Sequence, residues 1–175
     1  ITNISPGAAE SRDVRGNEAN QRGDAYLTIK DPIKLITFEP HMHAAGVRQC
    51  LEAIWGPIVE TLNCAGYNHN WVRNYVYDDA SAPLLPRGTV LHVIGWFDTT
   101  PANRNVMDSR NWSGFGYRSI DQMLINLPQA IVLTDKEFEE EVAKRQAKLS
   151  QGKGAAEGLG CLLCGVPPAV ASGGR

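Results

Sequence analysis

The sequence lacks the features that would assign it at once to a membrane or nucleic-acid class. No apolar run approaches the roughly 18 residues that a membrane-spanning helix needs, and no stretch is dense in lysine and arginine. The formal net charge is only −2. Nucleic-acid binding depends on clustered positive charge. The composition therefore predicts no nucleic-acid partner and no membrane span of its own, and 43% hydrophobic residues suit a globular domain.

Cysteine is also scarce, with four residues in a chain of 175. Cys50 and Cys64 lie in a region rich in strand-forming residues, whereas Cys161 and Cys164 lie in a tail rich in glycine and alanine. The second pair has C-x-x-C spacing but lacks the following histidine of a c-type haem site. It cannot fill a four-ligand zinc site alone. It predicts a second disulfide or a docking element rather than a redox centre.

Four segments follow one another along the chain. Residues 1–23 are polar, without apolar periodicity, and are predicted to form an N-terminal arm or linker. Residues 24–133 hold short apolar stretches separated by glycine and proline turns, which is typical of an antiparallel β-sandwich or barrel. Residues 134–150 predict a charged amphipathic helix that opens at Thr134 with a capping box. Residues 151–175 predict a flexible tail, so both termini are expected to be flexible.

Residues 47–67 predict a β-hairpin that brings the first two cysteines together. If Trp55 pairs with Val59 around a three-residue turn, the antiparallel register places Cys50 opposite Cys64. Opposed residues have Cβ atoms about 4.5–5.5 Å apart, close to the reach of a disulfide. The alternative is two buried thiols. A disulfide would place the protein in the periplasm or outside the cell, because the cytosol keeps thiols reduced.

Two further stretches are predicted as strands from their side-chain pattern. Residues 71–77 alternate between aromatic or charged and smaller side chains, and residues 90–97 are continuously apolar apart from His92. His92 is predicted to be a hydrogen-bonded structural histidine. His69 lies in an asparagine-rich turn and is predicted to be a surface or packing residue.

His41 and His43 are the strongest candidates for a chemical site. Residues i and i+2 of a strand leave the same face, so both imidazoles can bind one ion. Two imidazoles suit copper or zinc, and a thioether would favour copper(I). The spacing alone also fits surface or packed histidines.

Residues 38–46, F-E-P-H-M-H-A-A-G, resemble the F-x-P-H-M-H-x-x-G segment of the copper type II ascorbate-dependent monooxygenases. The likeness is to the C-terminal, methionine-copper domain of the peptidylglycine α-hydroxylating monooxygenase-like fold, in its bacterial relatives. It covers residues 24–127. The other segments that carry it are residues 50–54, 62–64, 68–71, 75–79, 83–93, 96–103, 110–112 and 119–123.

The resemblance implies a jelly-roll-like β-sandwich and a copper ion held by His41, His43 and Met123. The sequence departs from the family at residues 105–109, where prolines are usual, and at Gln122, where an acidic residue more often precedes the methionine. The complete two-copper enzyme also needs more histidines than the four in this chain. A complete two-copper monooxygenase is therefore not expected from this chain alone.

Two functions remain open. The first is an exported accessory or structural subunit that docks onto a larger, membrane-associated redox (electron-transfer) complex through its N-terminal arm, C-terminal helix and tail. The alternative is a copper-dependent monooxygenase, or part of one, that hydroxylates a C–H bond with electrons from an external donor. Both imply a bacterial periplasmic or extracellular protein. Because the chain begins at Ile1 rather than methionine, we expect further N-terminal sequence in the full-length protein.

Overall fold

The computed structural model describes residues 2–3 and 13–150. The predicted tail, with its second disulfide at Cys161 and Cys164, lies outside these residues. Within the described residues, no helix is both long enough and apolar enough to cross a membrane.

The described residues form short strands followed by one helix, which confirms the predicted all-β sandwich with an appended C-terminal helix. The jelly-roll connectivity stays a prediction. The elements are β1 (Thr2–Asn3), β2 (Gln21–Thr28), β3 (Ile33–Leu35), β4 (Thr37–Phe38), β5 (Pro40–Met42), β6 (Gly46–Trp55), β7 (Ile58–Gly66), β8 (Tyr75–Val76), β9 (Leu84–Leu85), β10 (Val90–Phe97), β11 (Leu124–Asn126), β12 (Gln129–Val132) and α1 (Asp135–Ser150).

Two four-stranded antiparallel sheets make up the sandwich, with strand orders β2-β10-β6-β7 and β1-β12-β3-β9. Two short ribbons, β5–β11 and β4–β8, complete the strand pairing. Both large sheets contribute to one hydrophobic core. Burial of each large aliphatic side chain stabilises the fold by about 1.5–3 kcal/mol. The fully buried members of this core include Leu35, Leu51, Leu85, Leu91 and Val93.

The segment before the first long strand belongs to the folded domain. Strand β2 begins at Gln21, within the residues predicted as an arm. Val14 is buried, and its backbone pairs with that of Ser113. The hydroxyl of Thr99 donates a hydrogen bond to the carbonyl of Arg15 at 2.6 Å. Residues 13–20 are thus held against the sandwich.

The prediction of a strand over residues 71–77 is wrong except for Tyr75 and Val76. Only Tyr75–Val76 is extended and paired, with Thr37–Phe38 of β4. Trp71 and Val72 are exposed on the preceding loop. An alternating pattern predicts a strand only where a neighbouring strand is long enough to pair with it.

The predicted disulfide between Cys50 and Cys64 is confirmed. The turn that joins its strands is shorter than predicted, because Trp55 pairs with Ile58 across two residues. Gly56 takes a φ of 56° in this turn, a conformation that glycine adopts without steric cost.

A β-bulge compensates for the shorter turn. The register shifts between Leu51 and Glu52, so that Leu62 is an extra residue on β7 without an opposite partner. This one-residue insertion restores the alignment further along the hairpin. Cys50 therefore faces Cys64 as the sequence predicts, because the shorter turn and the bulge shift the register by one residue in opposite directions.

The helix begins as predicted and docks by a narrow apolar stripe. The backbone N–H of Glu137 donates to the hydroxyl of Thr134 at 3.2 Å, and the N–H of Thr134 donates to the Glu137 carboxylate at 2.8 Å. This reciprocal pair is a capping box. Phe138 and Val142 are buried against Leu84.

Two buried basic side chains reinforce this docking. The guanidinium of Arg145 donates to the carbonyl of Ala82 at 2.7 Å. The ammonium of Lys34 lies 2.5 Å from the carboxylate of Asp79 and 3.7 Å from that of Glu141 on α1. The helix is therefore tied to the sheet by polar as well as apolar contacts.

Replacing both Cys50 and Cys64 by alanine is expected to lower the free energy of unfolding by about 3 kcal/mol, the loop-closure value for cysteines of this spacing. Urea unfolding of oxidised wild type and double variant measures the difference. Adding reductant to the double variant should change nothing further, which controls for the other two cysteines. A loss below about 0.5 kcal/mol would contradict a stabilising role for the bridge.

Candidate metal centre

His41 and His43 lie on the short antiparallel ribbon formed by β5 and β11. Its register places Met42 opposite Leu124 and His41 opposite Ile125. Both histidines therefore belong to a segment whose backbone is fixed by strand pairing, with His43 directly after the last paired residue.

Met42 determines which way the two flanking histidines point. It is fully buried, and it packs where β6 and β10 of the β2-β10-β6-β7 sheet carry glycine. A Cβ atom on Gly46 would lie 2.5 Å from the Cβ of Met42, and one on Gly95 would lie 2.4 Å from the side chain of Leu124. Because successive side chains of an extended segment alternate, the inward methionine turns both imidazoles to the opposite face.

The two imidazoles are close enough to share one ion. Their ring centroids are 5.7 Å apart, and the ring planes meet at 71°. Metal–nitrogen bonds of 2.0–2.1 Å plus the radius of each ring allow two imidazoles on one ion a centroid separation of at most about 6.5 Å. The observed separation lies within this limit.

One ring nitrogen of His43 is already engaged by the backbone. Its Nδ1 lies 3.2 Å from the carbonyl oxygen of Asp121. A carbonyl accepts hydrogen bonds only, so Nδ1 carries the proton and Nε2 keeps its lone pair. This is the usual arrangement of a metal-binding histidine, because the second hydrogen bond fixes the ring and its tautomer.

Burial lowers the pKa of both His41 and His43 below their ordinary value of 6.5. The neighbouring imidazole of His69 lowers the pKa of each further, whereas the carboxylate of Glu39 acts in the opposite direction on His41. A lowered pKa keeps both rings neutral near pH 7, and the neutral imidazole is the form that binds metal ions.

Met123, the third predicted ligand, directly precedes β11 and is buried. Strand pairing ends at Met42 and Leu124, so His43 and Met123 are the next residues of the two paired segments. Two neutral nitrogens and a thioether sulfur form a donor set that suits copper(I). The chemistry of these residues fits the ion that the sequence predicts.

No group of three or more histidine, cysteine, aspartate or glutamate side chains is close enough to hold a metal ion, as far as residues 2–3 and 13–150 are concerned. A centre at His41 and His43 therefore depends on a ligand of another type, and the thioether of Met123 is the predicted one.

His92 is a structural histidine, as predicted. Its Nε2 lies 2.7 Å from Asp24 and its Nδ1 3.0 Å from Glu52, and its ring stacks on Tyr26 with centroids 4.3 Å apart. Both ring nitrogens are thus engaged by carboxylates on the two neighbouring strands, and neither is available to a metal ion.

His69 lies beside the candidate site, a position that the sequence analysis missed. Its ring centroid is 6.2 Å from that of His43, with the planes at 77°. The loop between β7 and β8 brings it there, and no local spacing relates it to the other two histidines. The contact between His69 and His43 could be predicted only from a knowledge of how that loop folds.

The metal-free protein is expected to lose stability as the pH falls from about 7.5 to about 5.5. His41 and His43 have a lower pKa folded than unfolded, so the unfolded chain binds more protons in this range. Replacing both by glutamine should flatten the pH dependence of the unfolding free energy, measured by urea titration with a chelator present. Asp108, whose pKa its hydrogen bonds to Arg110 lower to about 2, contributes only at more acidic pH. If the unfolding free energy depends on pH equally in both proteins, the lowered pKa values of His41 and His43 are wrong.

Comparison with protein families and with curated proteins adds no relative. No family model matches the chain, and no curated protein matches it at a significant level. The likeness to the copper type II ascorbate-dependent monooxygenases therefore rests on the motifs described above and stays a prediction.

Proposed function

We propose that the chain is an exported copper-binding accessory subunit that docks onto a larger, membrane-associated redox complex. His41, His43 and Met123 would hold the ion. The observation that carries the proposal is the pair of imidazoles on one face of β5, with centroids 5.7 Å apart and the Nδ1 of His43 already donating to a backbone carbonyl.

The donor set favours copper over zinc. Zinc sites in proteins are built from cysteine, histidine and carboxylate ligands, whereas a thioether selects copper(I). A bound copper ion supplies one-electron redox chemistry. The chain's own contribution is to hold two neutral imidazoles, that of His43 in a fixed tautomer, and to keep Met42 buried beneath them, so that the rings stay turned to one face.

The small number of histidines supports an accessory role rather than a complete two-copper enzyme. Of the four histidines in the sequence, His92 is committed to Asp24 and Glu52. The remaining three lie together at one place. A second copper centre would need ligands from another chain or from outside this sequence.

Exposed apolar side chains support docking. Met107, Trp112 and Tyr117 lie on the loop between β10 and β11 and are 86%, 66% and 85% exposed. Large exposed apolar groups gathered on one segment are typical of interaction surfaces. The N-terminal arm, α1 and the tail remain the other predicted contacts with the complex.

The disulfide supports the location. Cys50 and Cys64 are bonded, and disulfides persist in the periplasm and outside the cell but are rare in the cytosol.

A cavity near the histidines supports the second candidate function, a copper-dependent monooxygenase. It has a volume of about 390 Å³ and is lined by Ala44, which follows His43, and by Val106, Met107, Trp112 and Asp121. Its size and partly apolar lining suit a small organic substrate. A C–H bond held there would lie beside the histidine-bearing segment.

Copper titration of the purified full chain tests the metal site. We expect one copper(I) ion per chain and loss of binding when His41 and His43 are both replaced by alanine. Met123→Leu should weaken copper(I) at least about tenfold, and copper(II) less, because the thioether is a soft ligand. Met107→Leu is the matched control, since that methionine is exposed on a loop. A folded wild type without stoichiometric copper would refute the site.

Docking and catalysis are separated by a second experiment. The tagged chain is expected to co-purify with the subunits of a redox complex from its native membrane fraction, even with both histidines replaced by alanine. Trp112→Asp with Tyr117→Asp should weaken this association, whereas Val59→Asp, exposed on β7, should not. Ascorbate-dependent oxygen uptake that the histidine variants abolish would instead establish the monooxygenase.

A further inference from the structure

We infer that Arg118 and Asp121 are positioning residues for His43: their ion pair fixes a turn whose backbone carbonyls hold the imidazole in the tautomer that leaves Nε2 unprotonated. The effect on the tautomer needs no metal ion, whereas its consequence for copper binding rests on the proposed function. Neither residue belongs to the predicted ligand set.

Residues 118–121 form a turn that is closed by backbone and side chain together. The backbone N–H of Asp121 donates to the carbonyl of Arg118 at 2.9 Å. In return, the backbone N–H of Arg118 donates to the carboxylate of Asp121 at 3.0 Å. The guanidinium of Arg118 contacts both oxygens of the same carboxylate, with its Nη2 2.7 Å from Oδ1 and its Nε 3.0 Å from Oδ2. Two parallel contacts of this kind fix the orientation of a carboxylate as well as its distance.

Two carbonyls of this turn meet the segment that carries His43. The carbonyl of Ser119 accepts a hydrogen bond from the backbone N–H of Ala44 at 3.1 Å, and the carbonyl oxygen of Asp121 lies 3.2 Å from the Nδ1 of His43. The first contact sets the distance between the turn and the end of the histidine segment. The second then depends on the direction in which one peptide carbonyl points.

The other carbonyls around this peptide are engaged as well. The carbonyl of Ile120 accepts from the hydroxyl of Ser113 at 2.9 Å, and that of Gln122 accepts from the backbone N–H of Gly116 at 3.1 Å. The carbonyls before and after that of Asp121 therefore have partners of their own, so its direction is fixed from both sides.

The carboxylate of Asp121 occupies space that a glycine leaves open. A Cβ atom on Gly116 would clash with this carboxylate, so the turn can close in this way only because residue 116 has no side chain. The side chain of Asp121 is 15% exposed and that of Arg118 is 77% exposed. The carboxylate is thus enclosed by the turn, whereas the guanidinium covers it from the solvent side.

The direction of this carbonyl determines which nitrogen of His43 is able to bind a metal ion. A carbonyl only accepts hydrogen bonds, so the contact requires the proton on Nδ1. The hydrogen bond that one ring nitrogen makes decides which of the two is protonated. If the carbonyl of Asp121 turned away, the proton would be free to move to Nε2, and that nitrogen would lose its lone pair.

The test compares wild type with Asp121→Ala and Arg118→Gln as full chains, free of metal and at a pH where the imidazoles are neutral. NMR of nitrogen-labelled histidine reports which ring nitrogen carries the proton, and the signals of His43 are identified by their loss in His43→Gln. We expect the proton on Nδ1 in wild type and a shift of population toward Nε2 in both variants. Copper(I) affinity, measured by competition titration, should fall about threefold to tenfold, since loss of a ligand's direct partner typically costs roughly 10–100-fold.

The matched control is Arg110→Gln. Arg110 contacts Asp108 in a similar way on the same loop, through its Nε at 2.9 Å, its Nη2 at 2.8 Å and its backbone N–H at 3.0 Å. This variant should match wild type in both measurements. Exposed ion pairs contribute little to global stability, so thermal unfolding should show that Arg118→Gln and the control are folded.

An Nε2 proton on His43 in wild type, or an unchanged tautomer in both Asp121→Ala and Arg118→Gln, would overturn the positioning role and leave the copper site intact. An equal change in Arg110→Gln would overturn it too, since the effect would then belong to the loop as a whole. A tautomer that shifts as expected in a protein whose wild type binds no copper would refute the copper site and retain the positioning role. Arg118→Gln keeps the test decisive if Asp121→Ala disturbs the loop.

Discussion

The candidate site depends on the close packing of Met42 and Leu124 against two glycines of the β2-β10-β6-β7 sheet. Gly46 lies on β6 and Gly95 on β10, and a Cβ atom at either position would come within 2.5 Å of one of these side chains. The ribbon of β5 and β11 can therefore approach the sheet only because those positions have no side chain. The histidines owe their orientation to this packing contact, which turns the methionine between them inward.

The hairpin shows how far the sequence predicts local geometry. Alternation and the turn residues correctly identified two paired strands and two facing cysteines. They did not reveal that the turn at Gly56 has two residues or that Leu62 is bulged, because neither a turn length nor a bulge changes the composition of a strand. The paired cysteines were predictable because the two differences cancel. At residues 71–77 the alternating pattern predicted a strand that is too long, since only Tyr75 and Val76 pair with another strand in the described residues.

The candidate site was predictable to the extent that its residues are close in sequence. His41 and His43 are two positions apart on one strand, so their common face follows from strand geometry. Met123 came only from the family resemblance, because nothing local relates it to β5. His69 is brought to the pair by the loop after β7 and by the hydrogen bond from Tyr67 to the backbone of Met42. Contacts of this kind depend on tertiary structure, which periodicity does not describe.

The pairing of Val14 with Ser113 joins the segment ahead of the first long strand to the loop that leads to Met123. The segment that follows Ser113 returns on itself, since Gln122 donates from its backbone to Gly114 at 2.8 Å, and Gln122 is the residue before Met123. Residues 13–15 are thus connected to the segment that carries the thioether by two short backbone bridges. The placement of Met123 therefore depends in part on contacts made by the segment ahead of the first long strand.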